Sequence, residues 1–338
     1  WLWPITSFDG INHPGNPDIK YYYPTNDLIT APEILFFWVA RMIIAGYEYQ
    51  GEKPFSNVYL TGLVRDQQKR KMSKSLGNSP EPLDLIEKYG ADGVRVGMLL
   101  CSPAGNDLLY DDSLPEQGRN FANKIWNAFR LVRGWEVDES AEQPEASASA
   151  VKWMEEVLRR GVSETDADFR KFRISEALMA TYKLFWDEFS GWYLEIIKPE
   201  YQQPVDRKTL DATLSFFDRL LRIIHPFMPF ITEEIWHLLA ERKETESIMI
   251  TRMPELKKYK KELLSRFEVV KETVTAIRSV RKEKEIPNKD KLTLCIRSDK
   301  DGVDSESIPV IMKLGNLSDV RFVDGKIEGA ASFMTGTT

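Results

Sequence analysis

Two lysines and two serines stand within five residues, Lys71-Met72-Ser73-Lys74-Ser75, and they are the side chains of this sequence best suited to chemistry on a phosphate. A lysine ammonium is a compact charge with three donors, able to follow a phosphate whose geometry changes as a bond breaks. Nucleotidyl transfer asks a protein mainly for positioning and for neutralisation of the charge that develops on the leaving oxygens. The competing reading is a solvated Lys/Ser surface loop. Context favours the chemical one, because the segment lies in a polar loop, residues 65–78, after a run at 57–61 that reads as a buried strand closed by Gly62. A loop so placed can close over a nucleotide and complete its charge clamp only when the nucleotide is present.

Other elements must position that loop. The spacing upstream predicts a helix with Thr30 as N-cap, Pro32 in its first turn and Glu33 in a capping box, carrying Ile34, Phe37, Trp38 and Met42 and ending near Gly46. Ile34 and Trp38, four residues apart, would then share a face. Downstream the pattern turns helical: 83–89 closed by Gly90, then 91–100, then a long helix over 113–135. Residues 136–150 are rich in Glu, Ala and Ser and read as a linker or helix hairpin. Leu178, Tyr182, Phe185, Phe189, Trp192 and Ile196 recur at helical spacing, which predicts a core stripe. Helices are expected at 210–224 and 231–240 around His225-Pro226-Phe227-Met228-Pro229, and a charged helix at 256–285. Strand-like runs at 292–296 and 320–323 follow, with room for a small helix between them. The expected fold class is α/β plus all-α.

Composition limits the partners. The 338 residues carry a net charge of −6, which argues against a chain coated in nucleic-acid-binding charge but allows a local basic face. The candidate is 257–291, where Lys257, Lys258, Lys260, Lys261, Lys271, Arg278, Arg281, Lys282 and Lys284 outnumber the acids. The two cysteines, Cys101 and Cys295, are expected as small buried apolar residues, and with three scattered histidines they do not make a zinc-binding pattern. No apolar run is long enough to span a membrane, no targeting signal is apparent, and a reducing cytoplasm is expected. Trp1 and Thr338 read as cut points.

Lys71-Met72-Ser73-Lys74-Ser75 resembles the second signature of class I aminoacyl-tRNA synthetases. The flanks resemble the valyl branch: Ile34-Leu35-Phe36-Phe37-Trp38-Val39-Ala40-Arg41-Met42, Val64-Arg65-Asp66, and Tyr89-Gly90-Ala91-Asp92-Gly93-Val94-Arg95. So do Asn120-Phe121-Ala122-Asn123-Lys124-Ile125-Trp126-Asn127, Trp192-Tyr193-Leu194-Glu195 and the segment from His225 to Phe230. The resemblance implies the second half of a Rossmann-type catalytic core at 1–112, an antiparallel helical anticodon-binding bundle at 113–254, and a long helix with a small α+β tail at 255–338. It implies a monomeric ATP-dependent ligase that forms valyl-adenylate from valine and ATP, with Mg2+ as co-substrate, and passes the valyl group to tRNA(Val).

Residue by residue, the resemblance makes Lys74 the stabiliser of pyrophosphate departure, with Lys71, Ser73 and Ser75 supporting the phosphates. The backbone at Gly62 would lie near adenine. Ala31 and Glu33 stand where the family usually has Gly and Asp against the ribose. Ile34 and Trp38 would wall the valine pocket. Candidate tRNA contacts are Arg119, Lys124, Arg130, Arg133, Arg170, Arg173, Arg278 and Arg281. The family's first signature, of His-Ile-Gly-His type, and its editing domain have no counterpart in these residues, so the isolated chain is not expected to make adenylate. The alternatives are an isoleucyl or leucyl enzyme, a tRNA-gripping module without catalysis, and a small-molecule nucleotidyltransferase.

Overall fold

The computed structural model describes residues 2–100, 106–297 and 305–335. The chain divides into two compact units, Trp1–Arg119 with Ala167–Leu178, and Asn120–Asp166 with Met179–Thr338.

Two short helices open the first unit, α1 (Trp3–Ser7) and α2 (Pro17–Tyr22). Asn16 caps α2, its side chain accepting from the Asp18 amide at 2.9 Å. Parallel strands need a long crossover, and this unit contains two. β1 (Thr25–Thr30) pairs in parallel with β2 (Phe55–Leu60). The connection runs through a 3-10 turn (Pro32–Ile34), a π-helical stretch (Leu35–Val39) and α3 (Ala40–Gln50). Then β3 (Val64–Arg65) pairs in parallel with β4 (Leu108–Leu109), the crossover carrying α4 (Pro82–Tyr89) and α5 (Ala91–Leu100). Gly90 closes α4 at φ 78°, as its position predicts. The long helix α6 (Ser113–Arg133) starts beside α5 at a glycine pair, where a Cβ on Gly118 would sit 2.3 Å from the Gly93 carbonyl oxygen.

Several expectations change here. Thr30 is no N-cap. It ends β1, and its carbonyl accepts from the Thr61 amide at 2.9 Å, because strand pairing outcompetes the local cap. The helix runs through Gly46 and stops at Gly51, whose φ is 74°. Gly46 stays inside it because a Cβ there would meet Pro54 Cδ at 2.8 Å and the Glu52 carbonyl at 2.9 Å. β2 is largely exposed, with only Phe55 buried.

In the second unit β5 (Val137–Asp138) pairs in parallel with β6 (Val205–Asp206). α7 (Glu145–Arg170) begins inside the stretch expected as linker. α8 (Ile174–Lys183), which starts in the first unit, continues as a π-helical stretch (Leu184–Tyr193) and α9 (Leu194–Ile197). Leu178, Phe185, Phe189 and Ile196 are fully buried, as the stripe predicts. Tyr182, in α8, is only half-buried, and so is Trp192, where i→i+5 winding shifts the face and brings Tyr193, Leu194 and Ile197 inside.

α10 (Arg207–Ile224) packs into the same core, Phe217 meeting Phe189 edge-on at 5.4 Å. Each such buried aromatic contributes about 1.5–3 kcal/mol. Asp206 caps α10 through the Thr209 amide at 2.8 Å. His225 Nδ1 meets Thr232 Oγ1 at 2.7 Å across the corner to α11 (Pro229–Leu239). α12 (Lys261–Glu283) leads to β7 (Leu292–Ile296), α13 (Ile308–Gly315) and β8 (Leu317–Phe322), with β7 and β8 again parallel. Cys295, in β7, is half-buried and not fully inside, and Cys101 lies outside the described residues.

Candidate functional site

The lysine loop sits in the first unit and is tied down at its base. The Arg65 and Lys71 backbones bridge antiparallel, and the Met72 amide donates to the Val64 carbonyl at 3.1 Å. Between them the chain reverses through Lys69, at φ 62°. Asp66 organises this turn. Its Oδ1 accepts from the amides of Gln68 at 3.0 Å and Arg70 at 2.9 Å, and its Oδ2 accepts from Arg70 Nε at 2.8 Å.

Asn78, at the far end of the loop, completes the network. Its Nδ2 donates to Asp66 Oδ2 at 2.9 Å and to the Lys71 carbonyl at 3.3 Å, while its Oδ1 accepts from the Ser73 amide at 2.9 Å. The Asn78 amide and the Arg70 guanidinium hold the Asp66 carboxyl down to about 2. Neither Asp66 nor Asn78 was singled out by residue type. The local signal is the short Asx side chain, which bonds nearby backbone readily.

Within this frame Lys74–Leu76 forms a 3-10 turn. Ser73 caps it, its Oγ accepting from the Leu76 amide at 3.3 Å and lying 3.2 Å from Ser75 Oγ. Gly77 closes it at φ 64°. Lys74 is exposed, and among the described residues its ammonium has no hydrogen-bond or ion-pair partner. Lys71 differs: its Nζ donates to both oxygens of Glu33, at 3.0 and 2.8 Å. Glu33 is therefore a partner of the loop and does not act as a helix cap.

Gly62 stands where the backbone of residues 106–107 crosses; a Cβ there would lie 1.6 Å from the Asn106 carbonyl oxygen. Asp107 accepts from the Leu63 amide at 3.1 Å and from Arg65 Nε, and the Arg65 contact holds its carboxyl below the usual range. Ala31, half-buried, precedes the 3-10 turn in extended conformation. Ile34 and Trp38 are 37% and 49% exposed. No α-helical spacing relates them, since the backbone passes from 3-10 to π winding between them.

The cations expected to meet RNA separate into classes. Arg119 pairs with Glu116 at 3.0 Å and lies over the Tyr89 ring. Lys124 lies over Trp186, and Arg278 over Trp192. Arg130, Arg133, Arg170 and Arg173 are exposed. Arg281 is a correction: it is 5% exposed and donates to the carbonyls of Gly315, Asn316 and Pro287. Lys271 is likewise buried, between Glu188 at 2.6 Å and Glu268 at 2.9 Å. The basic stretch is thus partly a packing face. Among the described residues no three or more His, Cys, Asp or Glu side chains gather as a metal set, and no helix is long and apolar enough to cross a membrane.

Two family models match the chain. Residues 2–111 match the family of class I tRNA synthetases (I, L, M and V), and residues 151–296 match the anticodon-binding domain of tRNA ligases. The chain belongs to the class I aminoacyl-tRNA synthetases.

Within that class, the chain is similar to several curated valine--tRNA ligases. That of Parabacteroides distasonis is 60% identical over 339 residues, covering 100% of this chain and 38% of the relative. Those of Porphyromonas gingivalis (57%, covering 100% and 38%) and Christiangramia forsetii (53%, covering 98% and 38%) follow the same pattern. The chain thus spans 38% of the length of these relatives. Two solved structures share the fold. One is the Agrobacterium radiobacter LeuRS–tRNA–LeuAMS ternary complex, at TM-score 0.53 and 20% identity, covering 76% of this chain and 32% of that one. The other is Mycobacterium tuberculosis methionyl-tRNA synthetase with methionyl-adenylate, at TM-score 0.56 and 21% identity, covering 72% and 50%.

Proposed function

We propose that this chain is the part of an ATP-dependent ligase that neutralises departing pyrophosphate and grips tRNA. The names of its relatives favour valine as substrate over the isoleucyl and leucyl alternatives. The valine carboxylate oxygen attacks the α-phosphorus of ATP, which enters with Mg2+ as co-substrate. The bond to pyrophosphate breaks with its electron pair on the leaving oxygen, and valyl-adenylate remains. The valyl group then passes to the 3′ end of tRNA(Val) and AMP leaves.

The observation that carries this reading is Lys74, an exposed ammonium on a turn whose backbone is anchored on both sides. Its charge is open to a developing polyphosphate, and a preset charge of this kind costs no reorganisation at the moment of reaction. Lys71 would exchange Glu33 for a phosphate oxygen, with Ser73 and Ser75 beside it. Gly62, Ala31 and Glu33 form the adenosine side, and Ile34 and Trp38 the amino-acid side. On this reading 1–112 is the second half of a Rossmann-type core, 113–254 the anticodon-binding bundle and 255–338 the tail. Arg119, Lys124, Arg130, Arg133, Arg170, Arg173 and Arg278 are the candidate RNA contacts, holding phosphates and stacking on bases.

The test is valine-dependent ATP–pyrophosphate exchange by the intact enzyme that carries this chain. Lys74→Ala is expected to keep the fold and slow exchange by about 100-fold or more. Exchange at the unaltered rate overturns the reading.

A further inference from the structure

We propose that Asp66 and Asn78 are positioning residues for the lysine loop, forming a clasp that sets where the Lys74 ammonium can reach. The inference rests on the catalytic reading of Lys74 and extends it to two side chains that would touch no substrate. The geometry is specific. One amide side chain, Asn78, holds the backbone on both sides of Met72 through the Lys71 carbonyl and the Ser73 amide. The same amide is held by Asp66, which also fixes the preceding turn through the Gln68 and Arg70 amides. The backbone that launches Lys74 is thereby referred to β3, to which the turn is bonded.

With the base held, the freedom left to the ammonium is chiefly that of its own four-carbon stem. Loss of the clasp would let the whole turn drift. A displacement of about 1 Å in a charge that acts in the transition state is worth on the order of 100-fold in rate. Asp66 and Asn78 would act on the chemical step through Lys74 and not on substrate binding. Their loss is therefore expected in kcat and not in the KM for valine.

The experiment uses the intact enzyme with four variants: Asn78→Ala, Asp66→Asn, the swap Asp66→Asn with Asn78→Asp, and Lys74→Ala as reference. In the swap, the new amide at position 66 can donate to the new carboxylate at 78. That carboxylate can still accept from the Ser73 amide. Asn78→Ala and Asp66→Asn are each expected to lower kcat for pyrophosphate exchange about 10- to 100-fold, with the valine KM within about threefold. Each should also speed tryptic cleavage after Lys71 and Lys74, and the swap should recover part of both losses.

Asn78→Ala with kcat within twofold of the parent overturns the proposal. So does a kcat loss fully accounted for by a lower folded fraction, read by circular dichroism, or a swap no better than the worse single variant. If Lys74→Ala leaves exchange unchanged, the catalytic reading fails and the clasp's role in positioning fails with it. Tryptic protection then reports only whether Asp66 and Asn78 order the loop. If Lys74→Ala slows exchange and the clasp variants do not, the catalytic reading stands and this proposal alone falls.

Discussion

Two carboxylates have different jobs in the first unit, Glu33 at 42% exposed and Asp66 at 14%. Glu33 makes a water-facing ion pair with Lys71, 42% and 55% exposed, the kind worth roughly 0–1 kcal/mol. Asp66 instead binds two backbone amides, an arginine and an asparagine, and its carboxyl sits near 2 against an ordinary value of 3.8. A depressed pKa contributes stability that is present above the ordinary value and lost as pH falls through the folded one. The Gln68 and Arg70 amides should therefore stay protected from hydrogen exchange at pH 5 and lose that protection as pH falls from about 3.8 toward 2. Protection that is flat across this window would mean that Asp66 does not hold the turn. Arg281 allows a second prediction. Its guanidinium bonds three backbone carbonyls in the interior, so Arg281→Met should cost about 3 kcal/mol in urea unfolding. It should leave the salt dependence of RNA binding unchanged, whereas loss of a true phosphate contact lowers that slope by about 0.7.

At the scale of elements, the close approach of two backbones decides more than propensity does. The β3–β4 pair has only two residues on each strand, yet it is reinforced by the amides of Leu108 and Tyr110, which donate to the Leu63 and Arg65 carbonyls at 2.8 Å each. Gly62 permits this because it has no side chain where Asn106 crosses. Gly62→Ala is expected to destabilise the first unit by about 3 kcal/mol. The Leu108 and Tyr110 amides should then exchange faster, and unchanged exchange would show that the crossing backbones can separate at little cost. The π-helical stretches act differently. Each inserts one extra residue per turn and rotates the face that follows, so residues past Leu184 are buried on a broader front than α-helical spacing predicts.

On the scale of the whole molecule, apolar burial is unevenly divided. The second unit encloses Trp153, Phe185, Phe189, Phe217, Phe227 and Tyr193 almost completely. The first leaves Phe36 at 83%, Ile29 at 69% and Ile44 at 67% exposed. Its β1–β2 pair is also largely exposed among the described residues, where parallel sheets normally have cover on both faces. The 338-residue chain is therefore expected to unfold in two steps, the first unit melting at lower temperature. Hydrogen exchange followed by mass spectrometry would read this directly. A single transition with uniform protection would contradict it.

The lysine loop, the Gly90 stop, several of the longer helices and most of the buried aromatic stripe were legible in the sequence, because each depends on residue type and short spacing. Thr30, Glu33, Ile34 and Trp38 were misread in part, since a cap and a shared helical face are local inferences. At those positions a strand partner from residues 55–60, a lysine 38 residues away and a change of helical winding prevailed. Arg281 looked like any surface arginine until the turn after α13 folded over it. Asp66 and Asn78 stood within the loop, but their pairing spans twelve residues, and only the closed backbone brings the two side chains within 2.9 Å. Charge and periodicity are properties of the chain, so the sequence alone marked which residues are candidates for the chemistry. Which of them stay exposed and which are held depends on contacts between distant segments, and those exist only once the backbone has closed.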